Sequence, residues 1–272
     1  MKFGKFAFAL ALVASAGNAS AAVIASDDFS SYGTGALNGA NGGAGWSGAW
    51  SATTAASVVD PTVDLQGNRA VSFGSNSDNA AHRALASSFS GDSLFVSFLV
   101  QAARGTTINR NDFLGVWLQN GAANGGANRP TLGIKGNEDT ASGTSDVFVR
   151  NTGSGGAFVA DSDLLVQTTY LIVGHLYRTV AGNYTSFDVW LDPTAADLAT
   201  PDASFNVTPS AISSINRVGI RTANLDSGDG ILIDRLRLTT TFQEAVAVPE
   251  PGTLALLGLG LAGIAFMRRR MI

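Results

Sequence analysis

Apolar and polar positions alternate with a period of two through most of the chain. Leu94, Val96, Phe98 and Val100 fall on one side of an extended segment. Phe187, Val189 and Leu191 do the same, with Asp188, Trp190 and Asp192 on the opposite side. Segments 113–118, 146–150, 169–177, 217–221 and 231–238 carry the same pattern. Successive side chains of a strand point to opposite faces, so this period predicts strands with one buried face. Clusters of Gly, Asn, Asp and Ser separate them, as at 121–128 and 151–156. No stretch between the two ends sustains helical spacing with caps. The pattern predicts an all-β fold, a two-sheet antiparallel sandwich.

The two ends break this pattern. Lys2 and Lys5 precede an uncharged apolar run at 6–16, and Ala19-Ser20-Ala21 supplies small residues where signal peptidase cuts. That layout predicts a signal peptide over 1–21, with an N-terminal signal helix removed after Ala21 or Ala22. At the other end, 252–267 carries no charge. As a helix it would span roughly 24 Å at about 1.5 Å per residue, against a hydrocarbon core of about 30 Å. With its flanks it is predicted to form a single transmembrane helix. Arg268, Arg269 and Arg270 follow it, and should stay cytoplasmic and place the body outside. Gly258, Gly260 and Gly263 fit G-x-G-x-x-G, but inside a membrane-length apolar run they read as helix-packing positions rather than a dinucleotide site. Between the ends lies one expected domain, 22–244, joined by a short tether from 245.

Composition narrows the chemistry. Charged residues make up only 14% of the chain, about half the usual share, while glycine contributes 32 residues. There is no cysteine, so disulfides, Cys-ligated zinc, iron–sulfur clusters and a thiol nucleophile are excluded. Of 17 basic residues, five lie in the two ends (Lys2, Lys5 and Arg268 to Arg270). Of 21 acidic residues only Glu250 does, which leaves the body at about −8. A phosphate backbone needs a basic surface, so nucleic acid is not an expected partner.

Pro249, Glu250 and Pro251, the short apolar helix and the terminal arginine cluster resemble the PEP-CTERM sorting signal. The resemblance implies processing near the triad by exosortase, a membrane enzyme of exopolysaccharide-producing Gram-negative bacteria. It also implies transient anchoring followed by release to the cell surface or exterior. The opening, Asp27-Asp28-Phe29 through Tyr32 and Leu37 to Gly45-Trp46 and Trp50, is similar to openings of many PEP-CTERM proteins. The end, 231–238, resembles the last strand of concanavalin A-like (laminin-G-like) jelly rolls, and 170–193 resembles their paired central strands. That resemblance implies a two-sheet jelly roll with its first and last strands in one sheet. Such a fold hosts lectins, glycan hydrolases and adhesive modules alike, so it does not settle function.

Candidate sites were weighed residue by residue. Glycoside hydrolysis needs two facing carboxylates, yet the body holds only Glu138 and Glu244, neither in a strand motif of jelly-roll glucanases. No serine-hydrolase elbow, His-Glu-x-x-His or phosphate loop is present. His82 and His175 stand alone; His175 shares a face with Leu171, Val173 and Tyr177 and reads as a packed, hydrogen-bonded histidine. No catalytic residue is expected. Aspartates in turn-like clusters suggest Ca²⁺ as the candidate metal, at Asp226 and Asp229, at Asp161 and Asp163, and at Asp78. Aspartate is also an ordinary turn residue. Asp234 alternates with Leu232, Leu236 and Leu238, which predicts partial burial with a hydrogen-bond partner, or else a bulge. Of four tryptophans that could stack on sugars, Trp117 reads as core or concave face and Trp190 as the more exposed; Trp46 and Trp50 stay open. Three readings result: a non-catalytic component of an exopolysaccharide or biofilm matrix, a carbohydrate-binding module assisted by Ca²⁺ or not, and an extracellular glycan hydrolase.

Overall fold

The computed structural model describes residues 22–61, 65, 69–123, 128–136 and 146–247. The expected signal peptide with Ala19 and Ala21, residue Glu138, the Pro249, Glu250 and Pro251 triad, the apolar helix and Arg268 to Arg270 lie outside the described residues. Among the described residues no helix is long and apolar enough to cross a membrane.

The strands, in chain order, are β1 (Val23–Asp27), β2 (Gly35–Ala36), β3 (Trp46–Ala52), β4 (Ala56–Val59), β5 (Ala70–Phe73), β6 (Ser77–Phe89), β7 (Ser93–Ala102) and β8 (Phe113–Gln119). They continue with β9 (Thr131–Lys135), β10 (Val147–Arg150), β11 (Ala157–Phe158), β12 (Thr169–Tyr177), β13 (Ser186–Leu191), β14 (Ala203–Phe205), β15 (Ile215–Ala223) and β16 (Ile231–Thr239). A single-turn helix, α1 (Phe242–Val246), follows β16. One sheet has nine strands in the order β14-β13-β12-β7-β16-β5-β4-β2, with β1 also on β16. The other has seven, β11-β10-β9-β8-β15-β6-β3. All pairings are antiparallel. The all-β, two-sheet architecture is the one the alternation predicts.

The core lies between the sheets. Val96, Phe98 and Val100 of β7, Ile172 and Leu176 of β12 and Phe187 and Val189 of β13 meet Leu114, Val116 and Leu118 of β8 and Val218 and Ile220 of β15. Each such side chain contributes about 1.5–3 kcal/mol when fully withdrawn from water.

Strand β16 shows how sequence phase sets topology. Ile231 and Ile233 face the core, and so do Leu236 and Leu238, so the inward phase slips by one residue between them. A β-bulge absorbs the slip, with Arg235 at φ 51°. It keeps a guanidinium out of the core. Before the bulge β16 pairs with β5, and after it with β1. Asp234 sits at this exchange, fully buried: its Oδ1 accepts from the Arg235 N–H at 2.6 Å, while its Oδ2 has no partner among the described residues. Burial and bulge, posed as alternatives from the sequence, occur together.

The first and last strands do share a sheet. The backbone beyond Glu244 is not yet a free tether: α1 runs to Val246, capped by Thr241, whose side chain accepts from the Glu244 N–H. Phe242 and Ala245, three apart, bury against Phe95, Val173 and Trp190 on the outer face of the nine-stranded sheet. Arg237 Nη1 donates to the carbonyls of Glu244 (3.1 Å) and Ala247 (2.5 Å), holding the end of the helix.

Candidate binding face on the seven-stranded sheet

The opening segment is a structural lock. Asp27 is buried, and its Oδ2 accepts from the Tyr32 hydroxyl (2.5 Å), Trp50 Nε1 (2.8 Å) and Arg83 Nη1 (2.8 Å). Arg83 also donates to the Gly42 and Gly48 carbonyls and to Asn41, and its guanidinium lies 5.4 Å from the Trp46 ring and 5.8 Å from the Trp50 ring. Burial first, and the Asp27 hydrogen bond next, push the Tyr32 hydroxyl up to about 12. The Asp-Phe, Tyr and Trp spacing of the opening therefore assembles one satisfied buried ion pair, and Trp50 is spent on it. Gly45 closes the motif: with φ +78°, a Cβ there would sit 1.9 Å from the Ile24 carbonyl oxygen.

One expectation changes on the outer face of the nine-stranded sheet. Trp190 is only 1% exposed, because Phe242 of α1 packs on it at 5.0 Å between ring centroids. It is not the exposed tryptophan. His175 is packed, as its neighbours suggested: it stacks on Phe95 (4.1 Å) and Tyr177 (4.5 Å), with Nε2 hydrogen-bonded to Ser93 Oγ at 2.7 Å. Burial lowers its pKa to about 4. His82 lies 3.2 Å from Arg217 Nη1, and burial, then that charge, lower its pKa.

The aspartate clusters close loops on themselves. Asp229 Oδ1 accepts from the Thr107 N–H and its Oδ2 from the Asp226 N–H, while Asp226 Oδ2 accepts from Asn109. Asp161 holds φ 53°, the left-handed geometry of a turn. Asp78 is not in a turn: it lies in β6 and pairs with Arg221 Nε at 2.7 Å. Among the described residues no group of three or more His, Cys, Asp or Glu side chains could hold a metal ion. Glu244 sits in α1.

The outer face of the seven-stranded sheet gathers different chemistry. Leu114, Val116 and Leu118 of β8 face the core, so Phe113, Gly115, Trp117 and Gln119 face outward. Register places Lys135, Gly133 and Thr131 of β9 beside Phe113, Gly115 and Trp117. On the other flank it places Ala223, Arg221 and Gly219 of β15 beside the same three. Phe148 and Arg150 of β10 lie one strand further, beside Gly133 and Thr131. The rings lie down on glycines. A Cβ on Gly219 would sit 2.0 Å from Trp117 Cζ2, and one on Gly115 would sit 2.7 Å from Phe113 Cζ.

An open cleft of about 270 Å³ is lined here by Phe113, Lys135, Arg150 and Arg221, with Asn111 and Asn224 among the residues around it. The Arg150 guanidinium lies 5.3 Å from the Phe113 ring and 5.5 Å from Phe148, and Arg221 lies 5.4 Å from Phe113. Arg150 is 3% exposed, yet among the described residues its Nε and Nη2 have no hydrogen-bond partner. Burial, then Arg221, lower its pKa to about 10. Trp117 Nε1 and Gln119 Oε1, on the same face, are also buried without partners among the described residues. Buried polar groups are ordinarily satisfied, and a desolvated charge is the costliest to leave unpaired. None of the described residues lining the cleft is acidic. Sequence reading singled out Trp117 but not Lys135, Arg150 or Arg221. Phe148-x-Arg150 was visible as one strand face, but its neighbours on β8 and β15 come from distant parts of the chain.

A second cavity, about 330 Å³, is lined by Ser26, Asp27, Asp28, Ala44, Arg235 and Arg237 among others, beside the β16 bulge. Its charges are of both signs, and Asp28 is engaged by Ser30.

Solved structures with a similar course include alginate lyase vAL-1 from Chlorella virus, at 13% identity and a TM-score of 0.47, covering 77% of this chain and 99% of that one. The carbohydrate recognition domain of Emp47p aligns at 12% identity and a TM-score of 0.43, covering 69% and 89%. The exoplasmic/lumenal domain of VIP36 in its Ca²⁺/Man3GlcNAc-bound form aligns at 10% and 0.42, covering 73% and 85%. No curated protein matches the sequence. The chain does match one family model: residues 247–270 carry a PEP-CTERM protein-sorting motif.

Proposed function

We propose that this chain is an exported surface protein, processed by exosortase at its C-terminal signal, whose body acts without catalysis in an exopolysaccharide or biofilm matrix. The sorting motif over 247–270 carries this reading. In it, signal peptidase removes 1–21, the apolar tail and Arg268 to Arg270 hold the chain in the inner membrane, and the segment at Pro249, Glu250 and Pro251 is the point of processing. Pro251 disfavours helical geometry at Glu250, and both prolines lack an N–H, so the triad should remain extended for a protease. The body reads as a concanavalin A-like jelly roll, supported by the pairing of β1 with β16. Replacing the triad with three alanines in exosortase-bearing cells tests the reading. The protein should move from the released to the membrane fraction; release at the wild-type rate would refute it.

A second reading has its own observation. The cleft on the seven-stranded sheet sets Phe113 beside the polar side chains of Asn111, Lys135, Arg150, Arg221 and Asn224, and among the described residues Arg150 Nε and Nη2 find no acceptor, a combination that suits a sugar chain. In this reading the body is the module that holds the matrix polysaccharide. The described lining of this cleft offers Ca²⁺ no carboxylate.

A further inference from the structure

We propose that the cleft at Phe113, Lys135, Arg150 and Arg221 is an anion-binding subsite that takes the oxyanion group of an acidic sugar, a carboxylate or a sulfate ester. The inference rests on the glycan-binding reading above and names the class of polysaccharide it requires.

Three observations converge. Arg150 is almost wholly withdrawn from water, and the described residues give its Nε and Nη2 no acceptor. A guanidinium offers parallel N–H groups in a planar fork, and an oxyanion is the acceptor that meets two at once. Lys135 and Arg221 line the same cleft, so three cations converge where no described lining residue is acidic. Arg221 keeps one counter-charge, Asp78, which is 69% exposed at its side chain and lies outside the cleft lining. The aromatic setting is equally specific. Phe113 and Phe148, 5.3 Å apart, hold the Arg150 guanidinium near both rings and fix its position before any ligand arrives. The glycine under Phe113 lets that ring lie on the sheet beside the cations. A nucleic acid does not fit: the cleft has three cations in a body of net negative charge, too few to follow a phosphate backbone.

The test uses the full chain in mild detergent with four probes: polygalacturonate, chondroitin sulfate, dextran and a short DNA duplex. At least one acidic polysaccharide should bind tenfold or more tighter than dextran, and which one binds identifies carboxylate or sulfate as the group read. Arg150→Met keeps the apolar stem between the two rings and removes the charge. It should cut that binding at least tenfold while its melting temperature stays level or rises, since a desolvated charge has gone. Lys135→Gln should weaken the same binding severalfold. Equal binding of dextran and the acidic polymers would overturn the inference and leave the glycan-binding reading standing. Binding of no polysaccharide would overturn both. Equal binding of DNA, or acidic-polymer binding unchanged in both variants, would also overturn the inference.

Discussion

Ala22 and Thr240 hold each other across the first and last strands. The Ala22 N–H donates to Thr240 Oγ1 at 3.1 Å, and the Thr240 N–H donates to the Ala22 carbonyl at 3.1 Å. Val23 pairs with Thr239 directly beyond. The chain therefore enters and leaves its folded body at one corner. An expected signal helix ending at Ala21 and an expected anchor starting beyond Ala247 would both hang from that corner, and the opposite end of the sandwich would face away from the membrane.

This geometry bears on the signal-peptidase cut. Cleavage after Ala21 leaves the Ala22 nitrogen available to Thr240, and cleavage after Ala22 removes that bond but keeps β1 whole. Mass spectrometry of exported protein should find Ala22 or Val23 as the first residue. A first residue beyond Ser26 would remove most of β1, and Met1 on exported protein would contradict export by this signal.

The Asp27–Arg83 pair predicts a large loss of stability on breaking it. Asp27→Asn would leave Arg83, 2% exposed, without its counter-charge, and would disturb the Tyr32 and Trp50 bonds as well. Breaking one side of a buried pair typically costs about 3–5 kcal/mol. Urea unfolding should show that loss with little change in slope. A loss below about 1 kcal/mol, the range of exposed pairs, would mean that the network does not hold the opening segment.

Two buried groups predict opposed pH dependences. Burial, more than any neighbour, pushes the Asp234 carboxyl up to about 7, so the folded state binds its proton more tightly than the unfolded chain does. Its contribution to stability is complete near pH 4 and is lost as pH rises towards and through 7. His175 is the reverse case. Burial lowers it to about 4, so its contribution is present above the unfolded value of about 6.5 and is lost as pH falls through 4. Between pH 4 and 6.5 the two slopes oppose each other. Relative to wild type, Asp234→Asn should make stability rise more steeply with pH across that window, and His175→Gln should make it fall. Chemical unfolding at four pH values reads both slopes; parallel curves for wild type and Asp234→Asn would show that Asp234 titrates normally.

What the sequence made legible follows from how each element earns its burial. Strands β7, β12 and β16 alternate because one face meets the opposite sheet, and their positions could be read directly. Strand β6 escaped notice. Its inward positions include small alanines and Arg83, whose partner Asp27 lies 56 residues earlier, so no apolar alternation marks it. The Asn76-Ser77-Asp78-Asn79 run looked like a turn for the same reason. Trp190 looked exposed beside Asp188 and Asp192, because the helix that covers it is five residues long and too short to show a period. The cleft was the least legible. Arg150 is one charge in a strand, and its lack of partners depends on which side chains β8, β9 and β15 bring beside it, a matter of long-range register.

In the proposed function, exosortase cuts this chain at its sorting motif and the body then leaves the membrane. Intact-mass measurement of the protein released from exosortase-bearing cells tests it most directly. The released form should begin at Ala22 or Val23 and lack 252–272. Released protein that still ends at Ile272, or protein found only in the membrane fraction at full length, would contradict it.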